Sequence, residues 1–115
     1  MSTEPFVVIV TMHLKQGVEE EFHGSLEPVL DKMRQEKTFV NTVVHTSVDD
    51  KSKVMLYETW LDYDDFIKNQ ITRPYREEYW KKLEVLLEGP PERAFFTPLR
   101  GDFVIQNGPM QTLRK

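Results

Sequence analysis

The stretch TFVNTVVHTSVDDKSKVMLYETW, residues 38–60, contains two runs of strand-forming residues on either side of a polar turn. Residues 38–47 and 54–60 are rich in β-branched and aromatic side chains, and the polar segment 49–53 separates them. This pattern predicts an antiparallel hairpin. Because side chains alternate across a strand, Glu58 and Trp60 must point to the same side of the sheet. A carboxylate beside a tryptophan on a buried strand makes this pair the first candidate for a functional site.

The hydrophobic pattern predicts a strand and a helix before this hairpin. Residues 6–14 form a β-branched and aliphatic run that is typical of a strand. Residues 18–36 then carry apolar side chains at spacings of three and four, which predicts an amphipathic helix with a bend at Pro28. Its apolar stripe consists of Val18, Phe22, Leu26, Val29 and Met33.

After the hairpin, two helical segments and a further strand are expected. Asp62 is a plausible cap for a short helix through Phe66. A longer helix begins near Thr72 with Pro74 in its first turn, where a missing N–H costs little. Its apolar stripe consists of Tyr75, Tyr79, Leu83 and Leu86, and Gly-Pro-Pro at 89–91 ends it. We expect a strand at 93–99 and a short fifth strand at 103–105.

This order of elements predicts an α+β fold of the ferredoxin-like β-α-β-β-α-β type, with one antiparallel sheet and helices on one face. On the second strand, alternation predicts that Phe39, Asn41, Val43 and His45 share one face. Strands that are apolar on both sides leave the other sheet face uncovered. We therefore expect a symmetric homodimer in which two sheets cover each other.

The length and charge of the chain exclude several classes of function. With 115 residues we expect one domain, 1–115, with a core at 5–99 and a tail at 100–115 that reaches the dimer partner. The net charge is −4, and the basic residues are scattered among acids, so neither nucleic acid nor an anionic membrane is an expected partner. The chain has no cysteine, and its N-terminus resembles neither a signal peptide nor a membrane span. We expect a cytoplasmic protein.

Residues 5–99 resemble the antibiotic biosynthesis monooxygenase family of dimeric α/β-barrels. The resemblance rests on the hairpin at 45–60 with its terminal Tyr-Glu-x-Trp, on Gly17, and on Thr-x-Pro at 72–74. It implies a ligand cavity between sheet and helices in each subunit. Many members are oxygenases that oxidise quinols or polyphenols with molecular oxygen and need neither metal nor flavin. Where members often carry a histidine, this chain has Gln70, and Val10 stands where the haem-degrading branch has an asparagine, so haem degradation is disfavoured.

The resemblance implies a cofactor-independent monooxygenase that acts on a small aromatic or quinol-like molecule. Two alternatives remain open: a non-catalytic protein that binds a small ligand, as a stress protein does, and an isomerase of a small ketone. Fold alone does not select among them. No metal site is expected, because the three histidines lie on three elements without ligand spacing.

Candidate site residues follow from this interpretation. His45 or His13 is the predicted base, since histidine titrates near neutral pH, and Trp60 is the predicted aromatic wall. A simpler interpretation is that His45 only ends its strand, that Trp60 is core, and that Glu58 anchors loop amides or Arg73. The side chains expected to bind substrate are Glu58, Tyr57, Asn41, Asn69, Gln70, Tyr75 and Phe22.

Overall fold

The computed structural model describes residues 4–104 of the chain. Four strands are present: β1 (Phe6–His13), β2 (Phe39–Thr46), β3 (Lys53–Trp60) and β4 (Glu92–Phe96). Helix α1 (Glu19–Met33) connects β1 to β2. After β3, the short helix α2 (Tyr63–Asp65) continues into a π-helical turn (Phe66–Gln70), and a 3₁₀ turn (Pro74–Arg76) leads into helix α3 (Glu77–Leu86).

The strands form one antiparallel sheet in the order β2-β3-β1-β4. The β2–β3 hairpin and the ferredoxin-like α+β fold predicted from the sequence are therefore confirmed. Both long helices lie on one face of the sheet, which we call the inner face. The helix stripes bury Phe22, Leu26, Val29 and Met33 of α1 and Tyr79, Leu83 and Leu86 of α3 against that face.

The predicted face assignment on β2 is wrong for Phe39. A bulge between Phe39 and Asn41 inserts one residue, so that Phe39 lies opposite Trp60 and Asn41 lies opposite Thr59. Phe39 consequently packs edge-to-face on Trp60 inside the core, with ring centroids 5.2 Å apart. Asn41 and His45 point to the other side, which we call the outer face, and Thr42 lies opposite Glu58 on the inner face.

Proline decides where two elements begin or end. The helix expected from Thr72 starts later, because the residue before a proline avoids the α region and Arg73 is extended, with ψ 137°. Strand β4 ends at Phe96, two residues before Pro98, which has no N–H for the ladder.

The Asp62 cap is confirmed, since its Oδ1 accepts a hydrogen bond from the Asp65 N–H at 2.9 Å.

The predicted fifth strand and tail fall mostly outside the described part of the chain. Residues 97–104 are exposed and form no strand, and residue 105 onward lies beyond the described residues. The contact of the tail with a partner therefore stays a prediction. None of the helices within residues 4–104 is long and apolar enough to cross a membrane.

Candidate active site

A small inner cavity lies between the inner face of the sheet and the two long helices. Its volume is about 30 Å³, which is room for roughly two water molecules. Aliphatic side chains form most of its wall, and most of these come from β1, β3 and α1. The polar and aromatic part of the lining consists of Glu58, Phe66, Arg76, Tyr79, Trp80 and Arg93.

A larger groove on the protein surface leads to this cavity. Its volume is about 460 Å³, within the usual range of small-molecule sites. Trp80, Leu83, Pro91 and Arg93 line both spaces, so the groove is the mouth of the inner cavity. The guanidinium carbon of Arg93 lies 5.6 Å from the centre of a Trp80 ring, which places a cation and an aromatic face together at this mouth.

The pair Glu58 and Trp60 occupies the inner end of the site. Trp60 is fully buried, and its Nε1–H donates a hydrogen bond to Glu58 Oε1 at 2.9 Å. Glu58 is only 4% exposed, and burial raises the pKa of its carboxyl group; the Trp60 hydrogen bond, Arg76 and Arg93 oppose this rise. A carboxyl group with a raised pKa in a cavity can accept or donate a proton nearer neutral pH than an exposed one.

Tyr79 and Thr42 add hydroxyl groups near this carboxyl group. The Tyr79 hydroxyl donates to Met12 Sδ at 3.8 Å, and burial, followed by the field of Glu58, raises the pKa of Tyr79. Tyr79 therefore stays protonated and acts as a donor. Thr42 lies opposite Glu58 on the neighbouring strand, and its Oγ1 is buried without a hydrogen-bond partner among residues 4–104.

Trp60 does not itself line the cavity. Its indole packs between Phe39 and Phe66, with ring centroids 5.2 and 5.3 Å away, and it reaches the cavity only through its hydrogen bond to Glu58. Phe22 is also fully buried in the core and lies outside the cavity lining. Of the residues that the sequence predicted to bind substrate, Glu58 lines the cavity.

Three other predicted residues belong to a polar network beside the site. Glu36 accepts hydrogen bonds from Tyr75 at 2.9 Å, from Arg73 at 3.1 and 3.2 Å, and from Gln70 at 3.3 Å. Asn69 and Gln70 both donate to Asp65, at 2.8 and 3.0 Å. Burial and the bond to Glu36 raise the pKa of Tyr75 to about 12. This network fixes the π-helical turn and the start of α3 against the end of α1.

The remaining predicted residues lie on the outer face. His45, Asn41 and Tyr57 point away from the helices, and His13, paired with Lys53, shares that side. His45 is exposed, and its Nδ1 lies 3.3 Å from the Met55 carbonyl oxygen. The structure does not bring either histidine to the inner cavity. Their role as a base stays a prediction, and it would require a site on the outer face.

Sequence reasoning missed Arg76, Trp80 and Arg93. Arg76 carried a readable signal: it stands three and seven residues before Tyr79 and Leu83, and so falls on the apolar stripe of α3. An arginine at such a position is buried and needs partners. Arg93 and Trp80 gave no comparable signal, because exposed strand arginines and half-buried tryptophans are common. Within residues 4–104, no group of three or more His, Asp or Glu side chains could hold a metal ion.

The sheet, the helices on its inner face and the cavity between them define a small ferredoxin-like α+β protein. The family model for antibiotic biosynthesis monooxygenases matches residues 5–79, and the chain belongs to this family. No curated protein matches the sequence significantly.

Solved structures share this fold at low sequence identity. SnoaB, a cofactor-independent oxygenase from Streptomyces nogalater, is 16% identical, with a TM-score of 0.74 over 85% of this chain and 96% of its own. PA3566 from Pseudomonas aeruginosa is 19% identical, with a TM-score of 0.74 over 87% and 99% of the two chains. Rv0793 from Mycobacterium tuberculosis is 17% identical, with a TM-score of 0.74 over 85% and 98%. At these identities the likeness concerns the fold.

Proposed function

We propose that this protein is a cofactor-independent monooxygenase that oxidises a small aromatic, quinol-like substrate. Family membership supports an oxygenase, and SnoaB shows that a protein of this fold can work as one without a cofactor. The observation that carries the proposal is the buried Glu58 carboxylate, held by Trp60 at the inner end of a cavity with an aromatic mouth.

The proposed chemistry follows from what molecular oxygen requires. Triplet oxygen reacts slowly with closed-shell molecules, but an electron-rich phenolate can give it one electron. Glu58 would take the hydroxyl proton of the substrate on Oε2, since Oε1 accepts the Trp60 hydrogen bond. A ring C–H carbon then gains one oxygen atom as a hydroxyl group, and the quinol is oxidised to the quinone by loss of its two hydroxyl hydrogens, which leave with the second oxygen atom as water.

The surrounding residues would hold the anion and exclude water. Arg76 presents unpaired donors at the cavity, and charge that develops on the substrate oxygen is stabilised by such fixed donors. Trp80 forms an aromatic wall at the mouth. In this scheme Trp60 is a positioning residue, because it acts through Glu58.

Oxygen uptake with 1,4-naphthohydroquinone tests the proposed function. We expect protein-dependent uptake that saturates with substrate and exceeds autoxidation in the same buffer. Saturable binding with no uptake above that background would contradict the oxygenase and favour the ligand-binding alternative. Conversion of a small ketone without oxygen would favour the isomerase.

We also propose that the protein is a homodimer that pairs through the outer face. That face carries Ile9, Val43, Met55, Tyr57 and Phe96, and Tyr57 and Phe96 remain 38% and 53% exposed. Permanent dimers commonly bury about 2,000 Å² or more of largely apolar surface. A second copy of the same sheet would cover this face.

For a homodimer we expect light scattering at micromolar concentration to give twice the chain mass of 13.6 kDa. Met55→Asp places a charge in the centre of the outer face and is expected to produce monomers, because an unpaired charge is costly to bury. Val85→Asp is the matched control, since Val85 is 63% exposed on α3, away from that face. A wild-type protein that stays monomeric would contradict the prediction.

A further inference from the structure

We propose that the inner cavity binds the carboxylate group of an aromatic substrate through the paired Nε–H and Nη2–H donors of Arg76. The inference rests on the proposed function and extends it, because it names the chemical group by which the site selects its substrate. It depends on the geometry of Arg76, on the charge of the cavity lining, and on the volumes of the cavity and its mouth.

Arg76 is a buried cation whose donors lack partners. The residue is 5% exposed, and its Nε and Nη2 atoms have no hydrogen-bond partner among the described residues. These two atoms form one edge of the planar guanidinium group, and their N–H bonds point the same way. Such an edge matches the two oxygen atoms of a carboxylate in a bidentate contact. Buried donors without an acceptor are costly in free energy, so a ligand that supplies acceptors to this edge would be stabilised there.

The neighbouring side chains do not supply that acceptor. The Tyr75 ring lies 5.8 Å from the Arg76 guanidinium carbon, but a ring face leaves the donor edge unpaired. Glu58 accepts from Trp60, and none of the ion pairs among residues 4–104 includes Glu58 or Arg76. Glu58 therefore leaves the donor edge of Arg76 without a hydrogen-bond partner.

The charge of the lining favours an anion. Arg76 and Arg93 line the inner cavity, and Glu58 is its one acidic residue. The lining of the inner cavity therefore carries two positive charges and one negative charge when Glu58 is ionised. Arg93 is exposed, as are Glu84 and Glu88 of the outer groove, so salt screens these three charges and leaves Arg76 as the buried cation.

An aromatic acid would occupy both spaces, with its carboxylate in the inner cavity and its ring in the outer groove. The inner cavity, at about 30 Å³, has room for about two oxygen-sized groups and none for a ring. The outer groove, at about 460 Å³, can hold a bicyclic ring against Trp80 and Pro91. A ligand with a carboxylate on one edge of its ring system would place its two oxygen atoms at Arg76 while its ring stays at the mouth.

Calorimetric titration with two matched probes tests the proposal without turnover. 2-Naphthoate and 2-naphthamide have nearly the same shape, and only the first carries a charge. In oxygen-free buffer we expect naphthoate to bind on the order of 10- to 100-fold more tightly, as charged hydrogen bonds contribute. Equal affinities, or tighter binding of 2-naphthamide or of 2-naphthol, would overturn the proposal.

Two variants test whether Arg76 causes the preference for naphthoate over naphthamide. Arg76→Met keeps the approximate length and is expected to abolish the preference for naphthoate. Arg76→Lys keeps the charge but loses the paired donors, so the preference should fall several-fold. Arg100→Met is the control, because the Arg100 side chain is 82% exposed, pairs with Asp102 and lies outside the lining of both spaces. An unchanged preference in a folded Arg76→Lys variant would contradict the two-donor contact, even if Arg76→Met does not fold.

The outcome separates this inference from the proposed function. A naphthoate preference that depends on Arg76, with no protein-dependent oxygen uptake for any quinol, would support the carboxylate site and contradict the oxygenase. Oxygen uptake with neutral and carboxylated quinols at equal apparent affinity would retain the oxygenase and remove the carboxylate site.

Discussion

Replacement of Glu58 by glutamine is expected to lower turnover by on the order of 10²- to 10⁴-fold, the usual contribution of a general base. Glutamine has nearly the same volume and can still accept the Trp60 hydrogen bond through its amide oxygen, but it cannot take a proton. The variant should therefore fold and bind the aromatic probe. Steady-state oxygen uptake, measured beside calorimetric binding, separates lost chemistry from lost affinity.

Glu21→Gln is the matched control for this substitution. Glu21 forms an exposed ion pair with Lys82 at 2.8 Å, neither residue lines the cavity, and loss of this pair should leave turnover unchanged. Turnover in Glu58→Gln within a factor of two of the wild type would remove Glu58 as the base. The histidines of the outer face, His45 and His13, would then be the next candidates.

The same substitution has a predicted effect on stability that depends on pH. The pKa of Glu58 is raised in the folded state, so the folded protein binds this proton more tightly than the unfolded chain does. Stability from this group is fully present below the ordinary glutamate pKa of 4.5 and is lost as pH rises through the folded pKa. Glu36 and Asp65, whose pKa values are lowered, act in the opposite direction and at lower pH.

Denaturant titrations of the wild type and Glu58→Gln at several pH values would measure this effect. We expect the wild type to lose stability relative to the variant as pH rises above about 4.5. Turnover of the wild type should increase over the same range, because the ionised carboxylate is the base. Parallel stability curves for the two proteins would contradict the raised pKa.

Replacement of Trp60 by alanine is expected to reduce the free energy of unfolding by about 3–5 kcal/mol. Trp60 is fully buried and contacts the Phe39 and Phe66 rings, so its removal leaves a large cavity and an unpaired Glu58. This is a large part of the ~5–15 kcal/mol that stabilises a domain. Denaturant unfolding followed by circular dichroism measures it, with the exposed Val85→Ala as a control. A loss below about 1 kcal/mol would contradict the packing described for Trp60.

Trp60→Phe distinguishes a positioning role from packing alone. Phenylalanine keeps an aromatic ring between Phe39 and Phe66 but cannot donate to Glu58 Oε1. Because the Trp60 hydrogen bond lowers the pKa of Glu58, its loss should raise that pKa further and move the pH profile of turnover upward. A lower stability with an unchanged pH profile would make Trp60 a core residue only.

Much of the fold could be predicted because its signals are periodic. The apolar spacing from Phe22 to Met33 and the alternation in 54–60 specify which side of each element is buried, and each can be read along a single segment. The shared side of Glu58 and Trp60 follows from this, whereas the structure decided that this side is the inner one. The bulge at Phe39 could not be predicted, because one inserted residue reverses the faces of a strand and leaves no mark in composition.

The candidate site was predictable only in part. Asn69, Gln70 and Tyr75 stand near the motif in sequence, yet they bond to Glu36 and Asp65 instead of facing the cavity. Arg76 and Arg93 come from segments without a motif, and they meet because α3 and β4 both border the cavity. Their separation along the sequence does not indicate that they lie close together in the fold.

The sequence by itself determined the family, the order of the elements and the placement of Glu58 and Trp60 on one side of their strand, because these depend on local periodicity and a short motif. Only the tertiary structure decided the chemical character of the site. The pKa of Glu58 rises because side chains from several elements remove it from water, and two donor atoms of the buried Arg76 have no partner among the side chains that surround them. The loss of water around a group depends on side chains from many distant segments, so it cannot be predicted from any single stretch of sequence.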